Sequence, residues 1–211
     1  VKPEKPRLIN IIDHLCRNEE IDLAAIPDME LYMDQLLSFL NARLAPFKRG
    51  PEDKGLTKTM INNYSKNQIL IPPRNKKYTR EHILLLILVY QLKNILTIGD
   101  IKRLFRPILK DISTSEDDVI PLDEIYETFL ALEKQQFSDF CTGLAAKAAY
   151  IEDKTAAIVA GENRQSAELF LVVLMLVAQA NASKRLAEQI IDACFAPGED
   201  DEAEQPAPKT P

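Results

Sequence analysis

The sequence predicts a mainly helical, all-α protein of two modules, and three observations carry that expectation. Glycine is scarce, at six of 211 residues, tryptophan is absent, and Leu, Ile, Ala, Lys and Glu are abundant, which favours helices over sheets. Apolar residues recur at helical spacing through most of the stretch from 28 to 195. Residues 56–110 run as a short amphipathic helix, a basic proline-marked loop, an apolar helix and a second amphipathic helix.

Taken in order, residues 7–17 place Leu8, Ile11, Ile12 and Leu15 on one stripe, with His14 beside it as a structural histidine. Asp28, after Pro27, is placed to cap a helix over 28–44 whose stripe is Met29, Tyr32, Met33, Leu36, Leu37, Leu40 and Leu44. Pro46 ends it, and 48–55 form a loop. Gly55 suits a tight turn, and Thr57 suits the N-cap of a helix over 57–67 with Leu56, Met60, Ile61 and Tyr64 on its packed side. Pro72 and Pro73 stop that helix and push Ile71–Tyr78 out as a short wing. Thr79 caps the next helix, whose interior ILLLILVY is apolar all round and belongs in a core. Thr97 and Asp100 form a capping box for a helix that Pro107 should kink or interrupt.

The polar stretch 113–121 marks a module boundary. Beyond it, one helix runs from Leu122 to about Ile151 and another from Ser166 to Phe195. The expected division is therefore an N-terminal helical segment at 1–25, a winged helix-turn-helix module at 26–112, a helical module at 122–195 and an acidic disordered tail at 196–211. The aromatic stripe Tyr126, Phe129, Phe137 and Phe140 suits either helix packing or the wall of a ligand cavity, and helical spacing alone accounts for the packing.

Charge gives the functional pointer. Residues 56–110 hold eleven Lys or Arg against two acids, a formal +9 within a chain of −6, so a cationic surface sits on an otherwise acidic protein. Double-stranded DNA is the expected partner. Lys58, Thr59, Asn62, Ser65 and Lys66 share the polar face of the short helix, which would enter the major groove; Asn62 suits an adenine edge and the lysines suit guanine or phosphate. Arg74, Asn75, Lys76, Lys77, Tyr78 and Arg80 would hold the wing on the adjacent backbone.

Particular residues carry a family resemblance: Gly55-Leu56-Thr57 at the turn, Asn63-Tyr64 late in the short helix, Ile69-Leu70 with Pro72-Pro73, Tyr78 with Thr79-Arg80-Glu81-His82, and Ile98-Gly99-Asp100-Ile101. Through these the chain resembles the MerR-like DNA-binding domain. With Ile26-Pro27-Asp28 and Leu31-Tyr32-Met33-Asp34-Gln35 added, it resembles more closely, over roughly 20–110, an uncharacterised bacterial domain-of-unknown-function family predicted to contain that domain. The segment FKRGPEDKG departs from the MerR pattern by lengthening the connection before the turn, and Asn62 stands where many such proteins have arginine. The resemblance implies a transcriptional regulator that forms a homodimer through the helix following the DNA-binding module, here the helix from Leu122.

Other classes find little support. No catalytic constellation, cofactor-binding motif or metal-ligand spacing is present, so an enzyme is not expected. Cys16, Cys141 and Cys194 lie far apart and read as reduced thiols, in keeping with a cytoplasmic location. The apolar runs Ile83–Tyr90 and Leu169–Ala178 are shorter than a membrane span, and VKPEKPRLINII lacks the pattern of a secretory signal. The competing reading is a protein-interaction or adaptor module that keeps the fold and reads no DNA.

Overall fold

The structure is a computed structural model and describes residues 20–50, 52–112, 121–158 and 163–195. The segment 7–17 with His14 and Cys16, the stretch 113–120 and the acidic tail lie outside the described residues. Among those described, six α-helices and one two-stranded sheet make the protein mainly helical. They fall into two compact units, one from Ile21–Glu124 with the end of the last helix from Lys184, and one from Ile125–Ser183.

The first unit opens with a 3-10 turn, Leu23–Ala25, capped by Asp22, whose carboxylate accepts from the Ala24 amide at 2.9 Å. Strand β1 (Leu31–Tyr32) pairs antiparallel with β2 (Lys77–Tyr78), Leu31 opposite Tyr78 and Tyr32 opposite Lys77. This pairing takes residues that the sequence assigns to a helix from 28, so helix α1 spans only Met33–Arg43. Gln35 closes its first turn by accepting from the Tyr32 amide at 2.9 Å. Asp28 caps nothing there; its carboxylate accepts from Arg80 at 2.6 Å. Met29 and Tyr32 are exposed, and Leu36, Leu40 and Leu44 carry the buried stripe.

One side chain of α1 fixes the backbone just before helix α2, Lys58–Lys66. Asn41 donates to the Leu56 carbonyl and accepts from the Leu56 amide, both at 2.9 Å, which satisfies the backbone just before the helix starts. Gly55 makes that clamp possible, with φ of 64° and with Asn41 Oδ1 occupying the place that a Cβ would need. Thr57 caps α2 as expected, accepting from the Met60 amide at 3.3 Å, while Ile61 and Tyr64 face the core. The helix ends in a Schellman turn: the Ile69 amide donates to Tyr64 O at 2.9 Å and the Gln68 amide to Ser65 O at 3.2 Å, with Gln68 left-handed at φ 58°.

Helix α3, Arg80–Leu92, buries every residue from His82 to Tyr90 and is the centre of this unit. Helix α4, Ile98–Ile112, starts with the expected capping box, Thr97 N to Asp100 Oδ2 and Asp100 N to Thr97 Oγ1, each 3.1 Å. It runs on through Pro107. Arg103 ties it to Asp100 at 2.7 Å and to Asp192 near the end of the last helix at 2.9 Å.

The second unit, Ile125–Ser183, is formed by most of helix α5, Leu122–Ala156, and the first two thirds of helix α6, Asn163–Cys194, running antiparallel. Lys147 on α5 donates to Gln179 on α6, and the buried Thr155 hydroxyl lies 3.0 Å from Glu168 Oε1. Phe137 and Phe140 line a shallow groove of about 390 Å³ with Glu133, Gln136 and Gln179, so half of the aromatic stripe borders a cavity. Tyr126 is fully buried. Cys141 is disulfide-bonded, which corrects the expectation of three reduced thiols, because distance along the chain does not measure distance in space. Cys194 is free and exposed. The α6 helix is long and apolar enough, by length and composition, to cross a membrane, and only 6% of its apolar window is buried.

Candidate nucleic-acid interface

The polar face of α2 is open. Lys58, Thr59, Asn62 and Lys66 are exposed and Ser65 is half-buried, while Ile61 and Tyr64 on the other side anchor the helix at 0% and 4% exposure. Asn63 is also exposed and lies one residue round from Asn62 and three before Lys66, on the same face. In the sequence Asn63 stands out only as a family marker; its helical spacing from Lys66 is the signal that places it on this face.

The wing is a tight hairpin whose tip points its polar groups to solvent. Asn75 and Lys76 both take left-handed backbone, φ 51° and 61°, and the Lys77 amide closes onto the Arg74 carbonyl at 2.9 Å. That is a type I′ turn, whose twist matches that of paired strands. Arg74, Asn75 and Lys76 are exposed. Lys58, Lys66, Arg74 and Lys76 have no ion-pair partner among the described residues, so an anion meeting them displaces water and counterions and not a protein carboxylate.

The other three wing residues are placed differently from the sequence expectation. Lys77 pairs with Glu30 at 3.1 Å and lies over the Tyr32 ring; the Glu30 hydrogen bond raises its pKa. Tyr78 is 5% exposed, its ring set edge-on to His82, and burial pushes its phenol pKa up. Its side chain is a core contact and not a phosphate contact, because strand alternation turns it inward opposite Leu31. Arg80 is likewise structural: its guanidinium donates to Ile26 O at 2.8 Å, Leu23 O at 3.1 Å, Asp28 at 2.6 Å and Asp123 at 3.3 Å. Those acceptors use up the fork that a phosphate would need.

His82 fixes the base of the wing from inside. The Thr79 amide donates to its Nδ1 at 3.0 Å, and Nε2 lies 3.0 Å from the Ile71 carbonyl. The first bond requires an unprotonated Nδ1, so Nε2 carries the proton and donates to Ile71. One neutral imidazole thereby joins the residue that enters the wing to the one that leaves it. Burial is the main reason that its pKa lies below the ordinary value.

These elements define a mainly helical protein whose first unit offers a polar helix face and a cationic hairpin tip. The chain belongs to the family described as domain of unknown function (DUF1836), which matches residues 21–129, a little over half of the 211. No curated protein and no solved structure matches the chain. Among the described residues no group of His, Cys, Asp and Glu is arranged to hold a metal ion.

Proposed function

We propose that the chain is a sequence-specific DNA-binding protein of the MerR-like winged helix-turn-helix kind, acting as a transcriptional regulator. The observation that supports this best is the pairing of an open, carboxylate-free α2 face, Lys58, Thr59, Asn62, Asn63 and Lys66, with the unpaired cations Arg74 and Lys76 at the wing tip, in a chain that is acidic overall. Asparagine amides on a helix face can pair bidentately with adenine, and lysines and arginines position the backbone. Tyr78 and Arg80 have no part in this reading except to build the hairpin.

The test is selection of binding sequences from random duplex DNA, followed by Asn62→Ala and Lys66→Ala. Enrichment of one motif is expected, with Asn62→Ala relaxing a single position and Lys66→Ala weakening all sequences alike. Four free cations predict a log–log salt slope of roughly −3 to −4. Absent or unselective binding at moderate salt would refute the proposal and favour the adaptor reading, which one observation independently supports: the exposed apolar side of α6.

A further inference from the structure

Helices α5 and α6 leave a groove between them within the second unit. Glu133, Gln136, Phe137 and Phe140 recur along α5 at spacings of three and four residues, so one face of that helix makes one wall, and Gln179 of α6 stands on the other. Its volume of about 390 Å³ is that of a site for one small molecule. A smaller hollow of about 180 Å³ continues it past Phe140 and Gln179 to Gly143, where a Cβ would meet nothing within 4 Å. Nothing in the packing calls for glycine there, and alanine would favour the helix.

Glu133 shows what the groove would take. It is half-buried and has neither a hydrogen bond nor an ion pair among the described residues. The adjacent cation, Lys134, is turned to Glu20 at 3.6 Å. Burial first, and repulsion by Glu20 second, push the Glu133 pKa up. The folded chain thus holds this proton more tightly than the unfolded chain does, so above the folded pKa the ionised carboxylate lowers stability. A glutamine would fill the same space without that cost. A carboxylate kept where the fold would be better without it, in a groove with two aromatic rings, is the mark of a ligand site.

We infer that this groove binds a small organic cation, with its charged centre against Glu133 and its apolar body against Phe137 and Phe140. Charge makes the selection: the unpaired carboxylate attracts a cation, and Glu20 beside it adds the same sign. Phenylalanine rings accept a cation on their faces as well as an apolar body along them. A metal ion is not the fit, since no group of His, Cys, Asp and Glu is arranged to hold one among the described residues. Lys147, which donates to Gln179, lies fourteen residues along α5 from Glu133, about 21 Å at helical rise, so the cationic end belongs at Glu133. The inference does not depend on the DNA reading, because the groove is in the other unit.

Calorimetric titration of the full chain, without DNA, tests it with two probes: tetraphenylphosphonium, and triphenylphosphine oxide as a neutral molecule of similar shape. Saturable one-to-one binding is expected, at least tenfold tighter for the cation. Glu133→Gln should weaken the cation tenfold or more, leave the neutral probe unchanged and raise the urea midpoint, whereas a structural role for Glu133 would lower that midpoint. Phe140→Ala should weaken both probes. Should either variant fail to fold, hydrogen exchange on the unaltered chain decides, with amides of 133–140 slowed by the cation. Binding that does not saturate, equal affinity for the two probes, a cation affinity indifferent to Glu133→Gln, or unchanged exchange across 133–140 would each overturn the inference.

Discussion

Arg80 shows how a single side chain changes meaning once its partners are visible. Its guanidinium is 19% exposed and is spent on two carbonyls and two carboxylates of its own unit. Arg80→Ala is therefore expected to cost about 2–4 kcal/mol in urea unfolding, because buried carbonyls lose charge-assisted donors. Under the DNA-binding proposal, at a temperature where the variant is folded, its DNA affinity and salt slope should stay near wild type; a slope reduced by a whole contact would restore Arg80 to the proposed interface. His82 makes a second prediction at this scale. Its folded pKa lies below its ordinary 6.5, through burial first, which outweighs the Ile71 carbonyl and Glu81. The unfolded chain thus binds a proton where the folded one does not, so the His82 contribution is complete above about pH 6.5. It falls as pH drops through 6.5 toward the folded pKa and levels off below that. Urea midpoints measured from pH 8 to pH 5 should decline, and His82→Gln should flatten the decline within that window.

At the scale of elements, the wing carries strain that a substitution can release. Lys76 sits at φ 61° at the hairpin tip, where a side chain costs about 1 kcal/mol relative to glycine. Lys76→Gly should therefore raise stability by roughly that much and, under the DNA-binding proposal, weaken DNA binding several-fold and lower the salt slope by about one contact. Melting temperature and a salt titration of the same variant separate the two effects. The α3 core helix and both the Thr57 cap and the Thr97–Asp100 box are legible in sequence, because each is a local pattern complete within a turn or two of helix. The wing's cations are legible as charge, but not which of them are free. That depends on Glu30 reaching Lys77 and on Leu23 and Ile26 reaching Arg80, partners more than forty residues away. Strand β1 is invisible for a related reason: two residues, Leu31 and Tyr32, have no periodicity of their own, and only pairing with Lys77–Tyr78 makes them a strand. Tyr78 reads as a DNA contact in sequence because it sits in a basic loop, and that same pairing turns it inward.

At the scale of the whole molecule, the family match and the folding unit do not coincide. The match ends at residue 129, yet the end of α6 from Lys184 belongs to the same compact unit as Ile21–Glu124. Two contributions from that end are specific: Ile191 is 3% exposed, and Asp192 accepts from Arg103, the residue that also braces the α4 capping box. The ion pair is largely exposed on the Asp192 side, at 67%, so it adds little; the buried isoleucine contributes more. Ile191→Ala should cost about 2–4 kcal/mol by lost burial and the cavity left behind, and Asp192→Asn well under about 1 kcal/mol. If the unit closes only when this helix end is in place, a fragment covering residues 20–129 should unfold at lower urea concentration than the full chain, by at least the Ile191 increment. Adding Ile191→Ala to the full chain should move its midpoint toward that of the fragment. A fragment as stable as the full chain would show that the family region closes its own core, and that the α6 end only rests upon it.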